Sequence, residues 1–258
     1  MTAAVLAIET STTTGSIALV SPARLLAEIT LESPVSHGER ILGAIDRVLD
    51  GAGLRVPDLA GIAVSAGPGS FTGLRVGMAT AKGLVEAHRM PLAAVPTLEA
   101  LAWNLPLATD PVCAILDARK GEVYGALFAW DAAEEGWRRI LAEGAFTPDD
   151  LASRVGDALA GRVLLLGDGV PPSREAFAKR MGDRAVTVPA PAGQPRATWT
   201  GWIGLRKIAR GDVEDAVTLA PMYCRASEAE LALSRASRGA AAAGGPARRR
   251  GPSGAGRP

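Results

Sequence analysis

Apolar and polar positions follow an order along the chain that predicts its secondary structure. In the first part, three short apolar runs before residue 32 predict three strands, and the apolar positions of 41–52 recur at helical spacing. A buried strand at 61–65 then leads into a glycine-rich loop and a second helix at about 74–88. This half is therefore expected to run strand, strand, strand, helix, strand, helix.

The second half repeats that order. Three apolar runs between 112 and 142 predict three strands, and a fourth follows at Val163–Leu166. Thr147 precedes a proline and two acids, which are typical of the first turn of a helix. In the first half, Thr97 follows a strand predicted at Leu92–Val95 and can cap the helix after it.

Two such halves, each a mixed sheet flanked by helices, predict an α/β fold of duplicated actin-like (ASKHA, ribonuclease-H-like) lobes. We expect an N-terminal lobe at 1–109 and a C-terminal lobe at 110–236. The chain is 48% hydrophobic and 21% charged, which supplies a core for both. Residues 237–258 are Ala, Gly, Pro, Arg and Ser with almost nothing to bury, so we expect a disordered tail.

The net charge of +1 hides an uneven distribution. Residues 231–258 contain six arginines and no acid, so removing them leaves −5 for the rest of the chain. A mildly acidic body argues against a broad nucleic-acid-binding face on it. Three consecutive arginines at 248–250 are an alternative RNA contact, but a solvated tail is the favoured interpretation.

Composition and targeting signals favour a cytoplasmic protein without a membrane span. The N-terminal apolar stretch is short, lacks a basic leader and runs into polar residues, unlike a signal peptide. The two cysteines, Cys113 and Cys224, form no CxxC pair and are expected to be packing residues in a reducing compartment. The two histidines, His37 and His88, have no second ligand at helical spacing, so no metal site is predicted.

Two loops are candidates for binding phosphate or a nucleotide. One is the polar turn after Glu9, at the end of the first predicted strand, and the other is the glycine-rich loop before the second helix. The loop lacks the Gly-Lys-Ser/Thr ending of a Walker A motif and does not match GxGxxG. The alternatives are structural: hydroxyls that satisfy turn amides, and glycines that permit a tight turn with positive φ. The candidate residues are Thr10, Ser11, Thr12, Gly67, Gly69 and Ser70.

The helix after the glycine loop carries small residues at intervals of four. Gly73, Gly77 and Ala81 form this row, and larger apolar residues lie on an adjoining stripe. Small residues in register allow a second helix to come close, either inside the monomer or from another subunit. The pattern alone leaves both interpretations open.

The second half has an acid in a comparable position, Asp117. An actin-fold enzyme that hydrolyses a nucleotide would follow this acid with glycine and small hydroxyl residues. Here Arg119 and Lys120 follow instead, which argues against ATP hydrolysis.

Five stretches of the sequence together resemble the TsaB (YeaZ) family. They occur in the family's order between residue 5 and about residue 225, and the GPGSFTGLR string is the most specific of them. The stretches are LAIETS at 6–11, GPGSFTGLRVG at 67–77, PTLEAL at 96–101, DARKGEVY at 117–124 and PMYCR at 221–225.

The resemblance implies a non-catalytic role in tRNA modification. TsaB-like proteins share the actin-like fold with TsaD, which transfers threonylcarbamoyl from threonylcarbamoyl-AMP to the adenosine beside the anticodon, in tRNAs reading codons that begin with A. TsaD-like chains carry a His-x-x-x-His metal motif, and this chain has none. The chain is then expected to be a partner and activator of TsaD that needs no cofactor of its own, with an ATP-derived nucleotide at the complex interface.

The resemblance also implies the partners. They are a TsaD-like catalytic subunit, a TsaE-like ATPase, a second copy of the chain when it is alone, and tRNA through the complex. The shared face is expected to be the first two helices, at about 38–50 and 74–88. The expected interface residues are Ile41, Ile45, Leu74, Gly77, Met78, Ala81 and Val85.

Two rival functions stay open from the sequence. One is a stand-alone actin-fold ATPase or kinase, which the two candidate loops support. Glu9 stands where active actin-fold enzymes usually have Asp, and this departure argues against it. The other is an independent tRNA-binding module that acts through the arginine tail, which the acidic body opposes.

Overall fold

The computed structural model describes residues 3–32 and 40–224, and this part contains two five-stranded mixed sheets. The strands of the first sheet are β1 (Val5–Glu9), β2 (Thr14–Val20), β3 (Leu25–Glu32), β4 (Gly61–Gly67) and β5 (Leu92–Pro96). Their order across the sheet is β3-β2-β1-β4-β5. β1 pairs antiparallel with β2 and parallel with β4, so the ends of β1 and β4 lie side by side.

The second sheet has the same topology. Its strands are β6 (Val112–Arg119), β7 (Glu122–Asp131), β8 (Gly136–Phe146), β9 (Val163–Leu166) and β10 (Ala185–Thr187). Their order is β10-β9-β6-β7-β8, which matches the first sheet when read from the other edge. The duplicated actin-like fold predicted from the sequence is confirmed. β10 was not predicted, because three residues are too few to show a period.

Six α-helices cover the two sheets in the described part of the chain. They are α1 (Ile41–Ala52), α2 (Phe71–His88), α3 (Thr97–Ala102), α4 (Pro148–Ala158), α5 (Val170–Met181) and α6 (Ala197–Ala209). α1 and α2 pack on one face of the first sheet, and α4 and α5 on one face of the second. α6 covers the other face of the first sheet, although its residues fall within the expected C-terminal lobe. None of the helices described is long and apolar enough to cross a membrane.

The alternation of side chains along β1 decides which layer each residue joins. Leu6 and Ile8 point into the core beneath α1 and α2. Val5 and Ala7 point into the core beneath α6. Glu9 continues this second row, so its carboxylate is carried toward α6 rather than toward the glycine-rich helix α2.

The N-terminus of α6 is capped by side chains from the first sheet. The Ala197 N–H donates to Ser16 Oγ at 3.1 Å, and the Thr198 N–H donates to Glu28 Oε1 at 3.1 Å. Glu28 also forms an ion pair with Arg196. These bonds satisfy helix amides that have no partner within the helix and attach α6 to β2 and β3.

The two threonines expected to cap helices differ. Thr147 caps α4 as predicted, because its hydroxyl accepts the Asp150 N–H at 3.2 Å. Thr97 is the first residue of α3 rather than its cap, and Pro96 occupies the cap position. The Thr97 hydroxyl is buried without a hydrogen-bond partner, so that prediction was wrong.

Candidate functional site

Glu9, the last residue of β1, is a fully buried acid. Its Oε1 accepts the Ser11 N–H at 2.7 Å, and its Oε2 accepts the Thr200 hydroxyl of α6 at 3.3 Å. It forms no ion pair with any residue of the described ranges. Burial raises the pKa of Glu9 above its ordinary value of 4.5, and the hydrogen bonds from Ser11 and Thr200 offset part of that rise.

The polar turn after Glu9 binds the glycine-rich loop directly. The Ser70 N–H donates to Ser11 O at 2.6 Å, and the Thr10 hydroxyl donates to Gly73 O at 2.8 Å. The Thr10 N–H donates to Ser65 Oγ at 3.3 Å. The structure therefore brings the two predicted loops together, as their positions at the ends of neighbouring parallel strands require. Their polar groups bond to one another.

Ser70 is a helix cap in this structure. Its side chain accepts the Gly73 N–H at 3.3 Å, and α2 begins at Phe71, three residues before the predicted start. The hydroxyl that the sequence offered as a phosphate ligand thus has a structural partner. Thr12 lies at the edge of the turn, where its hydroxyl accepts the Thr14 N–H at 3.2 Å.

The row of small residues on α2 faces the interior of the monomer. A Cβ on Gly73 would overlap Thr10 O, and one on Gly77 would overlap Thr10 Oγ1. A Cβ on Gly69 would overlap Ser11 O. Of the two interpretations that the sequence left open for this row, the structure supports internal packing.

Gly67 shows the backbone freedom expected of the loop. Its φ is 110°, a conformation that L side chains rarely adopt, and a Cβ there would lie 2.6 Å from Met222 O. Only glycine fits this position without strain. Gly69 does not have a positive φ. Glycine is required there only because Ser11 comes too close to leave room for a Cβ.

All seven residues expected at the partner interface are buried within the monomer. They are Ile41, Ile45, Leu74, Gly77, Met78, Ala81 and Val85. In the single chain these side chains cover the first sheet, and their part in a partner contact stays a prediction. Apolar periodicity identifies a buried face but does not say whether the sheet or a second chain buries it. The use of α1 and α2 themselves as partner-binding helices stays a prediction.

The outward faces of α1 and α2 expose different residues. Leu42 is 57% exposed, and the neighbouring Gly43 is open enough that an added Cβ would meet no atom within 4 Å. On α2, Val76, Ala79 and Gly83 recur at helical spacing, and Gly83 is equally open. We call these five outward positions, two on α1 and three on α2, the α1–α2 surface.

The C-terminal end of the described chain reaches the glycine loop. The Met222 N–H donates to Ala66 O at 2.6 Å, and the ring of Tyr223 stacks on Phe71 with centroids 5.2 Å apart. Arg75 lies over the Phe71 ring and donates through Nε to Tyr223 Oη at 3.0 Å. The sequence showed the PMYCR motif but no signal for its contact, because residues 148 apart in the chain form it.

The acid of the second half lies in a more open turn. Asp117 accepts the Arg119 N–H at 2.8 Å and pairs with the Arg119 guanidinium at 3.2 Å. The Asp117 N–H donates to Asp168 Oδ1 at 2.9 Å. Partial desolvation, with the nearby charge of Asp117, raises the pKa of Asp168. Arg119 and Lys120 both have positive φ, so the basic turn is held in a specific conformation.

The thiols and histidines show no chemical cluster in the described ranges. Cys113 is buried in β6, and burial raises the pKa of its thiol. Cys224 is partly buried, and its thiol pKa is also raised. Both environments suit packing residues better than nucleophiles. Within residues 3–32 and 40–224, no three His, Cys, Asp or Glu side chains lie close enough to hold a metal ion. His37 is outside those ranges.

Comparison with curated proteins identifies the family. The chain is 36% identical over 169 residues to the tRNA threonylcarbamoyladenosine biosynthesis protein TsaB of Escherichia coli K12, a match that covers 64% of this chain and 71% of that protein. It is 30% identical over 232 residues to TsaB of Bacillus subtilis 168, covering 88% of this chain and 96% of that protein. The chain belongs to the TsaB family. The resemblance drawn from the five sequence stretches is thus confirmed.

Two further comparisons place this TsaB-family chain among related folds. The structure of YeaZ from Pseudomonas aeruginosa matches with a TM-score of 0.72 and 27% identity, over 86% of this chain and 99% of that chain. The family model described as TsaD, tRNA N6-adenosine threonylcarbamoyltransferase, matches residues 25–233. The TsaD transferase model therefore matches this TsaB-family chain over most of its length.

Proposed function

We propose that this TsaB-family chain is the non-catalytic cytoplasmic partner that binds and activates a TsaD-like transferase. The product would be N6-threonylcarbamoyladenosine beside the anticodon of tRNAs that read codons starting with A. Membership of the family supports the pathway, because the relatives in Escherichia coli and Bacillus subtilis are named for threonylcarbamoyladenosine biosynthesis. The match to the TsaD model supports a pairing of two chains with a common fold.

One observation carries the non-catalytic part of the proposal: four loop N–H groups that a phosphate could use already have acceptors, although the buried Ser11 hydroxyl has no partner among the described residues. The N–H groups of Thr10, Ser11, Ser70 and Gly73 donate to Ser65 Oγ, Glu9 Oε1, Ser11 O and Ser70 Oγ. A phosphate site in an actin fold depends on free loop amides and hydroxyls. Binding phosphate here would require breaking this internal network.

The α1–α2 surface is the proposed contact for the TsaD-like subunit. Gly43 and Gly83 carry no side chain and Ala79 only a methyl group, which would allow close approach of a helix, and the exposed Leu42 would supply an apolar anchor. The same surface would join two copies when the chain is alone. An ATP-derived nucleotide would bind at the complex interface rather than within this chain, and a TsaE-like ATPase and tRNA would join the complex.

A reconstituted reaction tests the proposal. It contains TsaD-like and TsaE-like proteins from the source organism, a threonylcarbamoyl-AMP synthase and tRNA, with and without this chain. We expect threonylcarbamoyladenosine only when the chain is present. If its omission changes nothing, the proposed function is wrong.

A matched pair of variants tests the α1–α2 surface, with binding to the TsaD-like subunit as the measurement. Gly83→Arg places a charged side chain on the α1–α2 surface without a clash in the monomer, since nothing lies within 4 Å of the added Cβ. We expect at least a tenfold loss of binding to the TsaD-like subunit, because an unpaired charge would be buried in the contact. Gly161→Arg, at an equally open position before β9, is the control and should bind normally. Full binding by Gly83→Arg would exclude this surface.

The stand-alone ATPase or kinase is the alternative, and no observation favours it. This alternative predicts that the purified chain hydrolyses ATP, or transfers its phosphate, without any partner protein. The occupied loop amides and the Arg119 turn both argue against such turnover.

A further inference from the structure

After α6 the chain returns to the first sheet as a segment without helix or strand, which we call the strap and define as residues 212–223. Near its start, the Glu214 N–H donates to Leu92 O of the edge strand β5 at 2.8 Å. Near its end, the Met222 N–H donates to Ala66 O of β4 at 2.6 Å. The strap is therefore attached to the sheet at both ends.

Side chains of α2 hold the strap along its length. Lys82 Nζ donates to Leu219 O at 2.6 Å, and Arg75 Nε donates to Tyr223 Oη at 3.0 Å. The Phe71 ring stacks on Tyr223. Positions 71, 75 and 82 are spaced by four and seven residues, so they form one stripe along the helix. The strap therefore lies alongside α2.

The stripe that holds the strap adjoins the α1–α2 surface. At about 100° per residue, Ala79 of that surface lies within about 60° of both Arg75 and Lys82 around the helix axis. Leu219 packs against the core beneath α1 and α2, so the strap covers the same face of the sheet as these helices. α1 packs over β2 and β3, whereas the strap follows β5 at the other edge. Along this face α1, α2 and the strap thus lie side by side.

Exposed apolar side chains are concentrated on the strap. Of the nine large apolar side chains that are exposed in the described part of the chain, five lie on the strap or on the α2 residue beneath it. Val217 is 82% exposed. Single exposed apolar residues are ordinary, but a group of them on one segment is typical of an interaction surface. The five are Phe71, Val213, Val217, Met222 and Tyr223.

The charges of the strap indicate which kind of partner fits it. Residues 212–223 contain three acids and no lysine or arginine, which argues against RNA or another polyanion. Asp212 and Glu214 pair with Lys207 of α6 at 3.4 and 3.8 Å, and Asp215 accepts the Val217 N–H at 2.7 Å. Because the acids are bound back to this chain while apolar side chains face outward, the strap fits the apolar surface of a protein.

We propose that the strap is a third strip of the contact with the TsaD-like subunit, which buries Val217 and the exposed edges of the Phe71 and Tyr223 rings. This inference rests on the proposed function and extends its α1–α2 surface. Packed helices lie about 8–10 Å apart, so a partner seated on α2 also reaches the segments beside that helix. Continuity of the strap with the α1–α2 surface therefore selects the same partner.

Calorimetry of the full chain with the TsaD-like subunit tests the proposal through Val217. We expect Val217→Asp to bind at least tenfold more weakly, because its charge would be buried in an apolar contact. Val217→Leu keeps an apolar side chain and should bind within about twofold of the parent. Leu107→Asp is the control and should bind normally. Leu107 is 71% exposed in the turn between α3 and β6, and its φ of 65° suits Asp.

The outcomes separate the strap from the proposed function. Normal binding by Val217→Asp with a loss in Gly83→Arg would refute the strap contact and leave the α1–α2 surface standing. Normal binding by both variants would refute both contacts. If Val217→Asp lost only self-association, measured by light scattering, the strap would belong to a second copy and the proposal would be wrong. Thermal unfolding of Val217→Asp should match the parent, and a lower midpoint would mean that the chain itself covers Val217, which also overturns the proposal.

Discussion

The ends of β1 and β6 show how one topology can carry two different chemical environments. Both strands are central in sheets of the same order, and each presents an acid near its end. Glu9 is fully buried and bonds only to amide and hydroxyl donors. The Asp117 side chain is 29% exposed and has Arg119 at 3.2 Å. The strand order determines where the two acids lie, but the segments packed over each strand end determine how far water reaches each carboxylate.

The cause of the difference is the cover over each strand end. The glycine-rich loop and the first turn of α6 both close over the Glu9 end. At the Asp117 end, the turn through Arg119 and Lys120 remains at the surface. Removing the cover from the first half, or changing the acid beneath it, should therefore have larger effects than comparable changes in the second half.

The largest change in the free energy of unfolding is expected at Gly77, where α2 contacts the turn after Glu9. Gly77→Ala forces a Cβ into Thr10 Oγ1 and should lower the free energy of unfolding by about 2–3 kcal/mol, measured by urea denaturation. Gly83→Ala, in the same helix but open to solvent, should instead raise it by about 0.5–1 kcal/mol. Equal effects at the two positions would contradict the close contact.

Next in size is the capping of α6 by the first sheet. Glu28→Ala leaves the Thr198 N–H and the Arg196 guanidinium without their partner and should cost about 2 kcal/mol. Thr147→Ala in the second half removes only a local cap and should cost about 1 kcal/mol. Thermal unfolding of the two variants side by side measures the contrast. A larger loss in Thr147→Ala would reverse the comparison.

The buried Glu9 should make the free energy of unfolding depend on pH. Because burial raises the pKa of Glu9 above 4.5, the unfolded chain ionises first as the pH rises, and the folded state loses stability relative to it. The loss begins near pH 4.5 and continues up to the pKa of the folded state. Glu9→Gln lacks this group, so its free energy of unfolding should exceed that of the parent increasingly above about pH 4.5, by at most about 1.4 kcal/mol per pH unit.

Urea denaturation of both proteins between about pH 4 and pH 7.5 measures that difference. Other carboxylates titrate in both proteins, and their contributions cancel when the two curves are subtracted. A constant difference across this range would show that Glu9 is ionised as readily in the fold as in the unfolded chain.

The smallest effect is expected at the exposed acid. Asp117→Asn weakens one partly exposed ion pair with Arg119 and should change the free energy of unfolding by less than about 1 kcal/mol. Added salt should reduce the change further. A loss as large as that of Glu28→Ala would mean that the second strand end is as tightly covered as the first.

Local signals in the sequence were sufficient for some features and failed for others that look alike. Thr147 is followed by a proline and two acids, and these neighbours make its cap recognisable. Thr97 has only one of these signals, and Pro96 takes the position before the helix. The apolar residues of α1 and α2 were correctly predicted to share a buried face, but a monomer core and a subunit interface bury the same residue types.

The sequence by itself determined the duplicated strand order, the start of α4, the glycine-rich turn and the family. Each depends on periodicity, on neighbouring residues or on a continuous motif. Only the tertiary structure decided that Thr200 would bond to Glu9 across 191 positions, and that Ser16 would cap Ala197 across 181. It also gathered five tryptophans that are separate in the sequence around one apolar cluster. Hydrophobic periodicity states which face of an element is buried, but the identity of the partner depends on how distant elements pack, which leaves no local pattern to detect.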